Sequence, residues 1–203
     1  MTLVKSILAF VVIGSVLVAV SVWILKQNDD GVERISYGDD SFILDTTKPF
    51  QATFCDSGWS EGHTAMGVYV NILSFDETGQ VTVLRHNFED WDLEKATIIL
   101  PSKKNRILQS ALAKLRVETL YDEYDAGIMD GGQLTIKINQ GTEMKTVYLN
   151  NYYLPSITEF ESQVARLIDL ENLEFSRSPE LQTEAEDLLQ QLWEAMKQRR
   201  PSQ

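Results

Sequence analysis

The chain has 203 residues, 43% of them hydrophobic and 24% charged, with five prolines, which is the make-up of a globular protein rather than a disordered or fibrous one. Eighteen basic residues against 30 acidic ones give a formal net charge of −12. That balance disfavours nucleic acid as a partner, because phosphate binding draws on a surplus of Lys and Arg. A single cysteine excludes an intramolecular disulfide framework and any Cys-rich zinc or iron–sulfur site, and no Asn-x-Ser/Thr sequon points to glycosylation.

Residues 6–25 (SILAFVVIGSVLVAVSVWIL) carry no charge. At about 1.5 Å per residue such a helix is roughly 30 Å long, the thickness of a bilayer's hydrocarbon core. Lys5 and Lys26 flank it, and Trp23 stands where an interfacial aromatic would anchor. Ala19-Val20-Ser21 imitates a signal-peptide cleavage site, but the apolar run exceeds an ordinary signal sequence and favours an uncleaved, single-pass signal-anchor. With so short a polar head, the expected address is a bacterial inner membrane with the bulk of the chain on its outer, periplasmic or extracellular side. All 30 acidic residues lie beyond Leu25, and anionic headgroups would repel a domain so charged rather than let it lie flat on them.

Residues 27–45 are polar, with Asp29-Asp30-Gly31 and Gly38-Asp39-Asp40, and read as a tether. Residues 46–173 hold enough alternation and helix signals for one domain. Residues 66–88 form the clearest hairpin: Val68, Val70 and Ile72, then Val81 and Val83, alternate about Asp76-Glu77-Thr78-Gly79. A second hairpin spans 133–150 and turns at Asn139-Gln140-Gly141-Thr142. Residues 50–55 and 96–100 are further strand candidates. Ser102 reads as the cap of a helix with the apolar stripe Ile107, Leu108, Ala111, Leu112 and Leu115. Ser156 and Glu159 read as a capping box ahead of Ile157, Phe160, Val164, Leu167 and Ile168. Ser178 and Pro179 open a last helix, within 178–200, whose seam is Leu181, Ala185, Leu188, Leu192 and Ala195. The expected fold class is therefore α+β: an N-terminal transmembrane helix over residues 1–26, a mainly antiparallel sheet of two hairpins with amphipathic helices packed on it, and a C-terminal helix.

This layout, with Pro101-Ser102, Asp130-Gly131 and Pro155-Ser156 at its joints, resembles small uncharacterised bacterial envelope proteins whose membrane-anchored domain runs hairpin, helix, hairpin, helix. The resemblance implies a fold and an address, and brings no activity or site residue with it.

Candidate chemistry is sparse. Residues 55–64 read as a loop in which Cys55, Asp56, Trp59, Glu61 and His63 gather a thiol, two carboxylates, an indole and an imidazole. A membrane-anchored hydrolase using a Cys55–His63 pair needs the imidazole of His63 or His86 within hydrogen-bond reach of the thiol, and no spacing fixes that. A buried, unreactive cysteine at a strand end explains the same letters. Zinc on Cys55, His63, His86 and a carboxylate lacks the close-spaced ligand pair such sites use. Residues 121–132 hold acids and glycines that suit calcium, though not in EF-hand order, and a solvated loop reads equally well. Lys103, Lys104, Arg106, Lys114 and Arg116 are either a docking patch for an anionic lipid or acidic partner, or the solvated face of their helix. No catalytic, cofactor-binding or metal residue is singled out and no cofactor is expected. The expected role is a non-enzymatic accessory or protein-binding module. Its membrane contact is residues 6–25, and its partner, another protein or a second copy, docks on the C-terminal helix, which residues 174–178 would hinge away from the core; packing of that helix on its own domain is the alternative reading.

Overall fold

The computed structural model describes residues 31–36, 42–60, 67–86, 92–127 and 132–199. The expected membrane segment lies outside them, as do His63, Asp130 and Gly131, and among the described residues no helix is long and apolar enough to cross a membrane. In chain order the strands are β1 (Glu33–Ile35), β2 (Gln51–Ser60), β3 (Gly67–Asp76), β4 (Gln80–His86), β5 (Leu93–Ile99), β6 (Glu123–Asp125), β7 (Gly132–Gln140) and β8 (Glu143–Asn150). They join in one sheet, ordered β1-β6-β8-β7-β2-β3-β4-β5, antiparallel throughout except for the β6–β8 pair. Three helices cover it: α1 (Ser102–Leu115), α2 (Pro155–Ile168) and α3 (Glu180–Arg199). The class is α+β with a mainly antiparallel sheet.

The hairpins follow their turn chemistry. Asp76 Oδ1 accepts from the backbone N–H groups of Thr78 (2.9 Å) and Gln80 (3.1 Å), and Gly79 takes φ +85°, which a side chain would resist. In the second hairpin β7 runs to Gln140, so the turn tightens to Gly141-Thr142, with Gly141 at φ +63°. Residues 55–60, expected to loop, instead continue β2, where each is hydrogen-bonded between β3 and, as far as Gly58, β7. A strand with partners on both sides keeps its glycine and serines extended, because the ladder satisfies the backbone.

Helix starts also differ from expectation. Pro101 occupies the cap of α1 and Leu154 that of α2, with neither Ser102 nor Ser156 making a capping bond. A residue ahead of proline is pushed into the extended region, so Leu154 (ψ 123°) stays outside and the helix opens on Pro155 itself. The tether is partly structured: β1 pairs with β6, Phe42 is buried in the core, and the Gln140 side chain bonds the backbone of Asp45 at both its N–H (2.9 Å) and its carbonyl (2.7 Å).

Strand alternation sorts two cores. Facing α1 and α2 are Ala52, Phe54, Phe75, Val81, Ile136, Ile138, Val147 and Leu149, joined by Leu108, Leu112, Ile157, Phe160 and Val164 of the helices. Phe54 stacks on Phe160 at 5.0 Å between centroids and on Phe75 at 6.1 Å, so one aromatic group ties β2, β3 and α2. Facing α3 are the alternate residues Cys55, Val70, Ile72, Leu84 and Leu93, closed over by Leu181, Ala185 and Leu192. The seam expected to recruit a partner is thus covered by the protein's own sheet. The expected hinge is fixed as well: Ser176 exchanges both backbone hydrogen bonds with Lys95 (2.8 and 2.9 Å), and Lys95 Nζ meets Glu184 at 2.6 Å. A broad apolar stripe within reach of an uncovered sheet face buries itself there first.

Candidate functional site

The residues with suggestive chemistry in the sequence take quiet places. Cys55 is 2% exposed beneath α3, and burial pushes its thiol up to about 12, so a nucleophilic thiolate is strongly disfavoured. His86 lies on that face too, buried, its Nδ1 accepting the Val70 N–H at 3.0 Å, which makes the ring the neutral Nε2–H form; burial lowers its pKa. His63 falls outside the described residues.

The acidic stretch 121–127 is built into the fold. Asp122 pairs with Lys145 at 2.9 Å with both side chains buried, while Asp125 accepts from Gly127 N and Asn150 Nδ2. No group of three His, Cys, Asp or Glu side chains that could hold a metal ion occurs among the described residues. The five cations of the α1 region are exposed, and three of them are engaged: Lys104 Nζ donates to the Leu167 carbonyl (2.7 Å), Arg106 Nε to the Ser102 carbonyl (3.3 Å), and Arg116 meets Glu118 at 3.5 Å.

The feature with functional geometry is a cleft of about 470 Å³ between β2–β4 and α2. It arises because the core-facing positions of three neighbouring strands turn polar at one end of the sheet. On β2 the run Ala52, Phe54 is followed by Asp56; on β3 Phe75, Leu73 leads to Asn71; on β4 Val81, Val83 leads to Arg85. Asp56, Asn71, Arg85 and Glu94 are cross-strand partners, forming a polar row over four strands. From α2, Glu161 closes the row, with Val164, Ala165 and Ile168 as the apolar wall beyond it.

The two ends of that row differ electrostatically. Arg85 Nε donates to Glu94 at 2.8 Å and its guanidinium lies 3.9 Å over the ring of Phe175, so this cation is already engaged, on a carboxylate that also meets Arg177 at 3.7 Å. At the other end stand two carboxylates. Asp56 accepts from the Tyr69 hydroxyl at 3.3 Å and from Asn71, yet burial still raises its pKa. Glu161 is pushed up to about 7, first by burial and then by the charge of Asp56, and it makes no ion pair among the described residues. Beside them, the phenols of Tyr69 and Tyr153 converge over Gly132, where an added Cβ would come within 2.7 Å of the Tyr153 hydroxyl. Both phenols are held above their usual pKa, chiefly by burial and then by Asp56.

Perturbed carboxylates in a half-open, largely apolar cleft are the usual physical marks of a binding or reaction site. Sequence reasoning placed Asp56 in a loop and gave Glu161 no role. Their signal was present in the alternation: a polar residue at the next core-facing position of each of three strands, and a glutamate flanking the apolar stripe of α2. Neither a protein-family model nor a curated protein matches this sequence, so the site is read from its geometry alone.

Proposed function

We propose that this chain is an accessory binding module of a bacterial envelope, held in the inner membrane by residues 6–25 with its folded domain on the outer side, and that it acts by binding rather than by covalent chemistry. The observation that carries the binding role is the cleft under α2, preformed, apolar-walled and closed at one end by Asp56 and Glu161. The thiol-hydrolase alternative is disfavoured by the burial of Cys55 on the opposite face of the sheet. The membrane address is supported by the uncharged twenty-residue span with its short head, and by the resemblance to envelope domains. A protein partner on α3 would meet its polar side, which exposes Gln182, Glu186, Asp187 and Gln190, because the apolar seam is occupied.

Two measurements test this reading. Alkaline phosphatase fused after Gln203 should be active in a bacterial host, whereas an inactive fusion would reverse the orientation. Water-soluble fragments screened against the full chain in nanodiscs by ligand-observed NMR should give hits that vanish in Ala165→Trp, which fills the cleft. Hits indifferent to that substitution would remove the cleft from the account.

A further inference from the structure

Apolar walls and uncompensated negative charge meet at one point in this cleft, and few ligand chemistries satisfy both. Phe54, Leu73, Val83 and Val164 line the body of the cavity, and its volume of about 470 Å³ lies within the ~300–1,000 Å³ typical of small-molecule pockets. The titratable groups around the acidic end come from every packed element: Asp56 on β2, the neutral phenol of Tyr69 on β3, Arg85 on β4, the neutral phenol of Tyr153 ahead of α2, and Glu161 on α2 itself. Among the described lining residues Arg85 is the one cation, and it is engaged by Glu94 and Phe175. Among the described residues no cation pairs with either Asp56 or Glu161.

We propose that the cleft binds an organic monocation with an apolar body, its ammonium held between Asp56 and Glu161 and its apolar part against Phe54, Leu73, Val83 and Val164. A carboxylate ligand would add a third negative charge to that end, and a neutral one would leave the two carboxylates facing each other across a partly dry space. A hard metal ion would want six or more oxygens, which two carboxylates and apolar walls do not supply. An ammonium offers three N–H donors for two carboxylates and the neighbouring phenol of Tyr69. The inference rests on the cleft being a binding site, and it adds the charge and shape of what enters.

The probes are three molecules of equal size: phenethylamine, phenylacetate and 2-phenylethanol. Each is titrated calorimetrically into the full chain in phosphatidylcholine nanodiscs at about pH 8, where Glu161 is ionised and the amine is still charged. The amine should bind at least about tenfold more tightly than the acid or the alcohol, as one charge-assisted contact allows. Asp56→Asn and Glu161→Gln should each cost the amine about fivefold or more and leave the alcohol unchanged. Thermal melts of both variants keep folding apart from binding; neither substitution removes a core contact. Equal binding of the three probes, or amine binding that survives both substitutions, overturns the monocation assignment while leaving a cleft that binds. No binding by any probe overturns both.

Discussion

The two faces of the sheet are built on different principles. Toward α1 and α2 the strands offer aromatic and branched side chains, and two helices that also touch each other close over them. Toward α3 the same strands offer Cys55, Val70, Ile72 and Leu84, with Thr53, Thr135 and Thr146 also buried, and a single helix crosses from β5 to β8. The first face carries the larger core and tolerates a cleft at one end. Among the described residues the second carries one short apolar patch, the Lys95–Ser176 bridge, the Lys95–Glu184 pair and the Arg177 contacts to Asp92 and Glu94. The cleft, on this comparison, sits where packing is in surplus.

Substitutions can break that contrast in graded steps. Phe160→Ala removes the ring that stacks on Phe54 and should cost about 3–5 kcal/mol in denaturant unfolding, the largest single loss expected. Leu192→Ala on the other face should cost less, about 2–3 kcal/mol, because a surface helix can settle into the space it vacates. Its sharper readout is local. Alkylation of Cys55, slow in the native chain, should accelerate in this variant well before global unfolding, and fast labelling of the unaltered protein would contradict the buried thiol.

A third substitution acts through pH. Glu161 holds its proton more tightly folded than unfolded, so its contribution to stability is complete below about 4.5 and is lost as pH rises towards 7. Glu161→Gln should therefore match the native chain under acid conditions and exceed it above neutrality by about 1–2 kcal/mol, a figure trimmed for the cleft's access to water. Comparing melts of the two proteins cancels His86, whose lowered pKa works in the opposite sense. The smallest effect belongs to Arg116, which ends α1 at φ 50° and pairs only at the surface with Glu118. Glycine there should gain about 0.5 kcal/mol, and a loss would mean that the exposed pair matters more than the backbone.

Both hairpins and the apolar stripes of the three helices were legible in the letters, because period-2 and period-3.6 burial leaves a direct mark. The cap positions were not: at α2 the restriction on the residue before proline put the cap at Leu154 rather than Ser156, and at α1 Pro101 itself takes the cap ahead of Ser102. β1 was hidden because a three-residue strand at a sheet edge has too few positions to show a period. The destination of α3 was hidden for another reason. An amphipathic stripe announces that it will be buried and leaves open what buries it. The site followed the same logic in reverse. Asp56 read as one carboxylate of a loop, and Arg85 carried no signal of its own, until strand register put them in one row with Asn71, and Glu161 gained meaning only when α2 lay across that row.

The central claim is that Asp56 and Glu161 share one end of a partly dry cleft without a cation among the described residues to offset them. The most direct test is a carbon-detected NMR titration of the Glu161 carboxyl in the full chain, repeated in Asp56→Asn. The account predicts a midpoint near 7 in the native protein and a lower one in the variant, since burial sets most of the shift and the charge of Asp56 adds to it. A midpoint near the ordinary glutamate value of 4.5, unmoved by the substitution, would contradict it.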